Sequence, residues 1–121
     1  MPNYLGRRLR SFGHAFRGGR TLVATQPNAR VHAVATLAVT VTVLGFVLRI
    51  DRMEWVAVAV AMASVWLAEA MNTAVELLAD EVTLEQRERI GQAKDVAAFG
   101  VLAAAVAAAA VGLLVFAPRL L

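Results

Sequence analysis

Cysteine is absent from the 121 residues, which excludes a disulfide framework and a thiolate metal site. Charge is scarce as well. Only 17% of residues are Asp, Glu, Lys or Arg, against about a quarter in an ordinary soluble domain. Hydrophobic residues make up 60%, and the mean hydropathy is +0.65. That balance excludes a disordered chain. It also excludes a nucleic-acid module despite a pI near 10.6, and it leaves too little polar surface to cover one water-soluble core. No Walker loop, glycine-rich kinase loop, His-rich metal motif or Ser/His/Asp set occurs. His14 and His32 stand apart, with interfacial polar contacts as their default role. The first 30 residues hold six arginines, no acidic residue and no apolar run long enough for a signal core, so this segment is expected to be retained.

What is present is a set of long apolar runs. The first spans about residues 31–48 and is closed by Arg49, Asp51 and Arg52. At about 1.5 Å per residue it approaches the ~30 Å hydrocarbon core. Its valines and threonines would suggest a strand in water, but the length and the lack of turn residues favour a helix. The second covers about 55–79, and the third, about 96–117, is rich in Ala, Val and Gly. Small residues let helix backbones approach closely inside a membrane, although a plain hydrophobic anchor has the same composition. Together these runs predict an all-α membrane protein with three transmembrane helices and a cytoplasmic loop over 80–95.

Orientation follows from the basic residues. Arg7, Arg8, Arg10, Arg17, Arg20 and Arg30 precede the first span, and Arg87, Arg89 and Lys94 join the second to the third. Only Arg49, Arg52 and Arg119 lie on the other side. This asymmetry places the N-terminus in the cytoplasm and the C-terminus outside. Residues 1–30 read as an interfacial amphipathic segment. Leu5, Leu9, Phe12 and Phe16 recur at helical spacing, with arginines on the remaining surface. The Arg17–Arg20 stretch, with Gly18 and Gly19, reads as a turn between two surface helices.

The second span carries the polar residues. At about 100° per residue, Glu69, Glu76 and Asp80 fall within about 20° of one line, and Asn72 and Thr73 within about 60°. The apolar face opposite is assigned Val65, Leu67, Ala74 and Leu78. A carboxylate at the centre of a span costs at least about 2.5 kcal/mol on insertion scales. Two on one face therefore call for cations, a shared proton or water. Hydrogen bonding between helices would account for a lone Asn72, but poorly for both glutamates. Carboxylate and amide oxygens suit Mg²⁺, which commonly arrives with nucleotide phosphates. Lys94 can neutralise a phosphate and Asp95 can hold a metal, a lysine or a ribose. Each has a blander reading, Lys94 as a topology residue and Asp95 as the N-cap of the third span.

These residues resemble the bacterial integral-membrane diacylglycerol kinase family, whose members are also named undecaprenol kinases. The resemblance rests on Glu69, Asn72, Thr73, Ala74, Glu76 and Asp80, followed by Ala93, Lys94 and Asp95. It extends to Ser11, Phe12, Ala15, Phe16, Arg17 and Gly18, and to Asn28, Arg30, Val31 and His32 before the first span. It covers essentially the whole chain and implies a multi-pass homotrimer in the bacterial inner membrane. The implied reaction moves the γ-phosphate of ATP to a lipid hydroxyl, with residues 31–121 as the kinase domain and Mg²⁺ as cofactor. Lipid and ATP are the implied partners; nucleic acid is not. By the resemblance Glu69 is the general base and Asn72 orients or contacts the lipid, with Arg30 also at the lipid. Glu76 ligates the metal bridging the phosphates, and Arg7, His14, Lys94 and Asp95 contact nucleotide.

Three positions depart from the family pattern. His14 and Gln86 replace aromatics found in some members, which puts adenine stacking there in doubt. Gln26 stands where a second metal-binding glutamate is usual. Residues Glu54, Trp55, Asn72 to Ala74 and Arg30 to His32 look more like the undecaprenol branch, and both lipids stay open. An ion-coupled transporter or a membrane adaptor would also accommodate carboxylates in a span. The first gives no reason for Lys94 and Asp95 at the cytosolic edge, and the second predicts that replacing Glu69 and Glu76 is harmless. Because Gln26 lacks a charge, Gln26→Glu is expected to lower the Mg²⁺ concentration giving half-maximal activity. An unchanged half-saturation in a Mg²⁺ titration would count against coordination at residue 26.

Overall fold

A computed structural model describes residues 3–25 and 29–121. They form four helices, α1 (Tyr4–Thr25), α2 (Ala29–Leu48), α3 (Arg52–Val82) and α4 (Glu88–Leu120). By length and composition α3 and α4 can each cross a membrane, while the apolar part of α2, His32–Leu48, is shorter. The threonines that hinted at a strand are accommodated inside α2. Thr40 and Thr42 donate to the Thr36 and Ala38 carbonyls, each at 2.8 Å. Ser64 does the same to Val60 in α3. Each hydroxyl is thereby satisfied one turn back, without water.

The helix ends have local causes. Leu48 is followed by Arg49 at φ 53, a left-handed residue that lets the Ile50 amide reach back to the Gly45 carbonyl at 3.2 Å. This six-residue closure ends α2 and turns Ile50 into the core. Asp51 then caps α3, its carboxylate accepting from the Glu54 amide at 2.8 Å. That hydrogen bond holds the Asp51 carboxyl below its ordinary range. At the far end Thr83 is extended, and its hydroxyl accepts from the Glu85 amide at 3.0 Å.

Three boundaries differ from the sequence expectation. The connection between α3 and α4 occupies 83–87, not 80–95, because the helical hydrogen-bond ladder continues past the point where apolar residues stop. Asp95 accordingly lies about two turns inside α4 and does not cap it; the N-cap is Arg87. And α1 runs unbroken through Gly18 and Gly19, neither of which uses a positive φ.

The most extensive packing is between α3 and α4, with α2 and α1 touching α3 more lightly. The two long helices form an antiparallel hairpin closed by an ion pair near each end. Arg119 meets Glu54 at 2.6 Å, and Lys94 meets Asp80 at 3.1 Å. Glu54 and Asp80 are separated by about 39 Å along α3 at ~1.5 Å per residue, somewhat more than a hydrocarbon core of about 30 Å. Ile50, Val58, Val115 and Phe116 form the buried apolar cluster beside the Arg119 pair. An apolar cavity of about 360 Å³ lies between α2, α3 and α4. Most other large side chains, including Phe16, Phe46, Leu102 and Leu114, are exposed, which suits a lipid solvent.

Trp55 settles how α2 meets α3. Its ring lies 5.0 Å from that of Phe46 and directly over Gly45, where a Cβ would fall 2.5 Å from Trp55 Cη2. Gly45→Ala must therefore displace the indole. Overpacking of this kind costs about 1–3 kcal/mol, so the thermal midpoint of the detergent-solubilised protein is expected to fall. An unchanged midpoint would show that the ring moves freely.

Candidate functional site

The polar stripe is buried by the fold. Glu69 is 2% exposed, Asn72 1% and Thr73 4%, while Glu76 is half-buried and Asp80 is exposed. Val65 joins them on the buried face, contrary to its assignment to the opposite side. Four residues advance a helix by about 400°, so Val65 lies only about 40° from Glu69. Leu67, Ala74 and Leu78 are indeed turned outward.

Within the stripe, the Asn72 side-chain amide donates to Glu76 Oε1 at 3.4 Å, a long contact by hydrogen-bond standards. Glu69 Oε2 and Asn72 Oδ1 are buried with no hydrogen-bond partner among the described residues. A buried polar atom left unpaired costs about 1–3 kcal/mol, and more when charged. These two oxygens are thus held ready to accept a proton, a hydrogen bond or a cation. They sit about one turn apart on a helix packed against α4, which fixes the backbone that carries them.

The remaining predicted residues are partly assembled. Lys94 on α4 reaches Asp80 on α3 at 3.1 Å, so the lysine is tied to the end of the stripe. Asp95, the next residue, is exposed. Arg7 and His14 lie exposed on α1, with His14 Nδ1 2.9 Å from Arg17 Nη2. Gln26 and the side chain of Arg30 fall outside the described residues. The Arg119–Glu54 pair was not anticipated from the sequence; the available signal was opposite charge at two span ends assigned to the same side. Thr73 was placed on the stripe but given no role.

The donor chemistry fits a hard divalent cation. Glu69, Asn72 and Glu76 offer carboxylate and amide oxygens, as Mg²⁺ prefers. Among the described residues no three His, Asp or Glu side chains converge into a metal centre.

Fold and site together define a helical membrane protein with a carboxylate–amide centre on one apolar helix. Residues 13–116 match the family model of prokaryotic diacylglycerol kinase. The chain is also 35% identical to the undecaprenol kinase of Bacillus subtilis (strain 168) over 118 residues, covering 98% of this chain and 94% of that protein. The chain belongs to the prokaryotic diacylglycerol kinase family. It is an ATP-dependent lipid kinase, transferring the γ-phosphate to the hydroxyl of a membrane lipid. The transporter and adaptor readings are not favoured.

A polar residue kept for chemistry and not for folding has a thermodynamic signature. Asn72→Leu removes a buried unpaired acceptor while keeping the branched heavy-atom skeleton. Its thermal midpoint is therefore expected to hold or rise, by up to the equivalent of about 1–3 kcal/mol, while lipid phosphorylation is lost. Loss of stability alongside activity would mark Asn72 as structural.

Proposed function

We propose that the chain phosphorylates undecaprenol, with diacylglycerol as the second candidate acceptor, and that Glu69 is the general base. The observation carrying this reading is the buried carboxylate of Glu69 with an unpartnered Oε2. The name of the Bacillus subtilis relative supports the choice of lipid.

In this mechanism Glu69 takes the proton of the lipid hydroxyl as that oxygen attacks the γ-phosphorus and ADP departs. Asn72 orients the hydroxyl, and its contact with Glu76 sets the spacing between the acceptor and metal sides of the stripe. Glu76, together with Gln26, would hold Mg²⁺, which would supply charge neutralisation on the phosphates. Phosphoryl transfer asks a protein mainly for positioning and electrostatic stabilisation, and one polar helix face can provide both. Lys94 has three donors and can keep Asp80 while contacting a phosphate. Asp95, Arg7 and His14 contact the nucleotide from the cytosolic side, and Arg30 the lipid.

The same reading places α2, α3 and α4 across the bacterial inner membrane. The N-terminus and the 83–87 connection are then cytoplasmic and the C-terminus external, which puts both ion pairs of the α3–α4 hairpin at headgroup level. Residues 1–30 lie on the cytoplasmic surface, and residues 31–121 form the kinase domain. Three chains assemble, covering apolar faces that one chain leaves exposed.

Glu69→Gln is expected to abolish turnover while leaving ATP binding within about twofold, because the amide preserves size but accepts no proton at neutral pH. Assay of purified protein in mixed micelles with undecaprenol and diacylglycerol side by side measures both points. Wild-type turnover by Glu69→Gln would refute the base, and a preference for diacylglycerol would overturn the acceptor.

A further inference from the structure

We infer that Arg119 and Glu54 are positioning residues for the transfer reaction: their ion pair fixes the register of α4 against α3 while nucleotide engages Lys94. The inference rests on the proposed nucleotide contact of Lys94 and gives two further residues a part in that reaction. Arg119 Nη2 lies 2.6 Å from Glu54 Oε1 across 65 residues of chain. The pair joins the last turn of α4 to the first turn of α3.

The chemistry of the site is divided between the two helices. Glu69, Asn72 and Glu76 stand on α3, whereas Lys94 and Asp95 stand on α4. Sliding of one helix along the other leaves the acceptor side intact and carries the nucleotide side away from it. Near the site the helices are tied by Lys94 and Asp80 at 3.1 Å, and that lysine is the one offered to a phosphate. A phosphate that draws Lys94 off Asp80 releases this inner tie. The outer pair lies about 39 Å away along α3, beyond the reach of a nucleotide at Lys94, and stays closed through turnover.

Little else opposes sliding. A cavity of about 370 Å³ lies between the helices midway along the hairpin, walled by residues such as Ala57, Ala61, Ala104 and Ala107. Val60 and Val111 are the largest side chains lining it, so no bulky group interlocks there. The connection over 83–87 leaves slack as well. Five residues extend to about 17 Å, against about 8–10 Å between packed helix axes, so a slip of one turn, about 5.4 Å, is within its reach. The apolar cluster of Ile50, Val58, Val115 and Phe116 holds the outer ends together, but apolar burial has no direction. The Arg119 and Glu54 side chains are only 28% and 23% exposed, and a partly dry pair is screened less by salt.

Glu54→Gln and Arg119→Gln each remove one charge of the pair. In mixed micelles each is expected to raise the KM for ATP by about fivefold or more, leaving the acceptor KM within about twofold. The double variant is expected to match the singles, because all three lose the same interaction, and Arg119→Lys to keep the wild-type ATP KM. A pair that only stabilises the fold would lower the thermal midpoint and move neither KM, and that result overturns the proposal. So does an equal rise in both KM values, or a double variant in which the two single effects multiply.

Register can also be read without turnover. The chain has no cysteine, so Leu78→Cys with Val96→Cys supplies the only two thiols, at exposed positions on α3 and α4. Spin labels there, in doubly labelled chains diluted with unlabelled ones, report the distance between the helices near the site. Lys94→Ala removes the inner tie by itself, and the distance is expected to hold. Adding Arg119→Gln is expected to broaden the distribution or displace it, by up to about 5.4 Å. An unchanged distribution in that combination overturns the proposal, as does a displacement in Lys94→Ala alone, which would put the register on the inner tie. If Lys94→Ala leaves the KM for ATP unchanged, the nucleotide reading of Lys94 fails separately, and the spin-label distance then decides whether the outer pair sets the register.

Discussion

Everything at the site depends on the antiparallel packing of α3 against α4. Glu69, Asn72 and Thr73 are buried on the helix whose most extensive packing is against α4. Two ion pairs about 39 Å apart along α3 bracket it, Arg119 with Glu54 and Lys94 with Asp80. Exposed ion pairs contribute little stability individually. Here their importance is register, because a hairpin of two apolar helices has few other features that oppose sliding. A slip of one turn, about 5.4 Å, would carry Lys94 away from Asp80 and Arg119 away from Glu54.

The same packing has a cost. It leaves Glu69 Oε2 and Asn72 Oδ1 buried and unpaired, which the rest of the helix must offset through its apolar contacts. Such sites are where stability and function oppose one another. In the proposed mechanism acceptor, proton and metal would all be addressed from successive turns of one helix. α1 contributes Ala15, Gly18 and Gly19 to a cavity that it shares with Ala70 and Thr73 of α3.

Much of this was legible in the residues. Hydropathy gave the three apolar segments, because apolar length responds directly to the solvent a helix must occupy. The 100° arithmetic grouped Glu69, Asn72, Thr73, Glu76 and Asp80 on one face; α3 buries the first three, with Glu76 half-buried and Asp80 exposed. The failures share a cause. Hydropathy reports where apolar side chains stop and not where backbone hydrogen bonding stops, so the loop over 80–95 shrank to 83–87 and Asp95 proved interior to α4. Gly18 and Gly19 suggested a turn, yet nothing in the local chain uses their freedom. Val65 was misplaced by a simple phase error.

The sequence by itself determined the helical class, the membrane as solvent, the family and the identity of the polar face. These follow from composition, period and motif, which are local properties. Tertiary structure alone decided which polar atoms are buried without partners, that Arg119 meets Glu54 and Lys94 meets Asp80, and that α1 closes a cavity over Thr73. Those facts join residues far apart in the chain, and no local period encodes a distance between two helices.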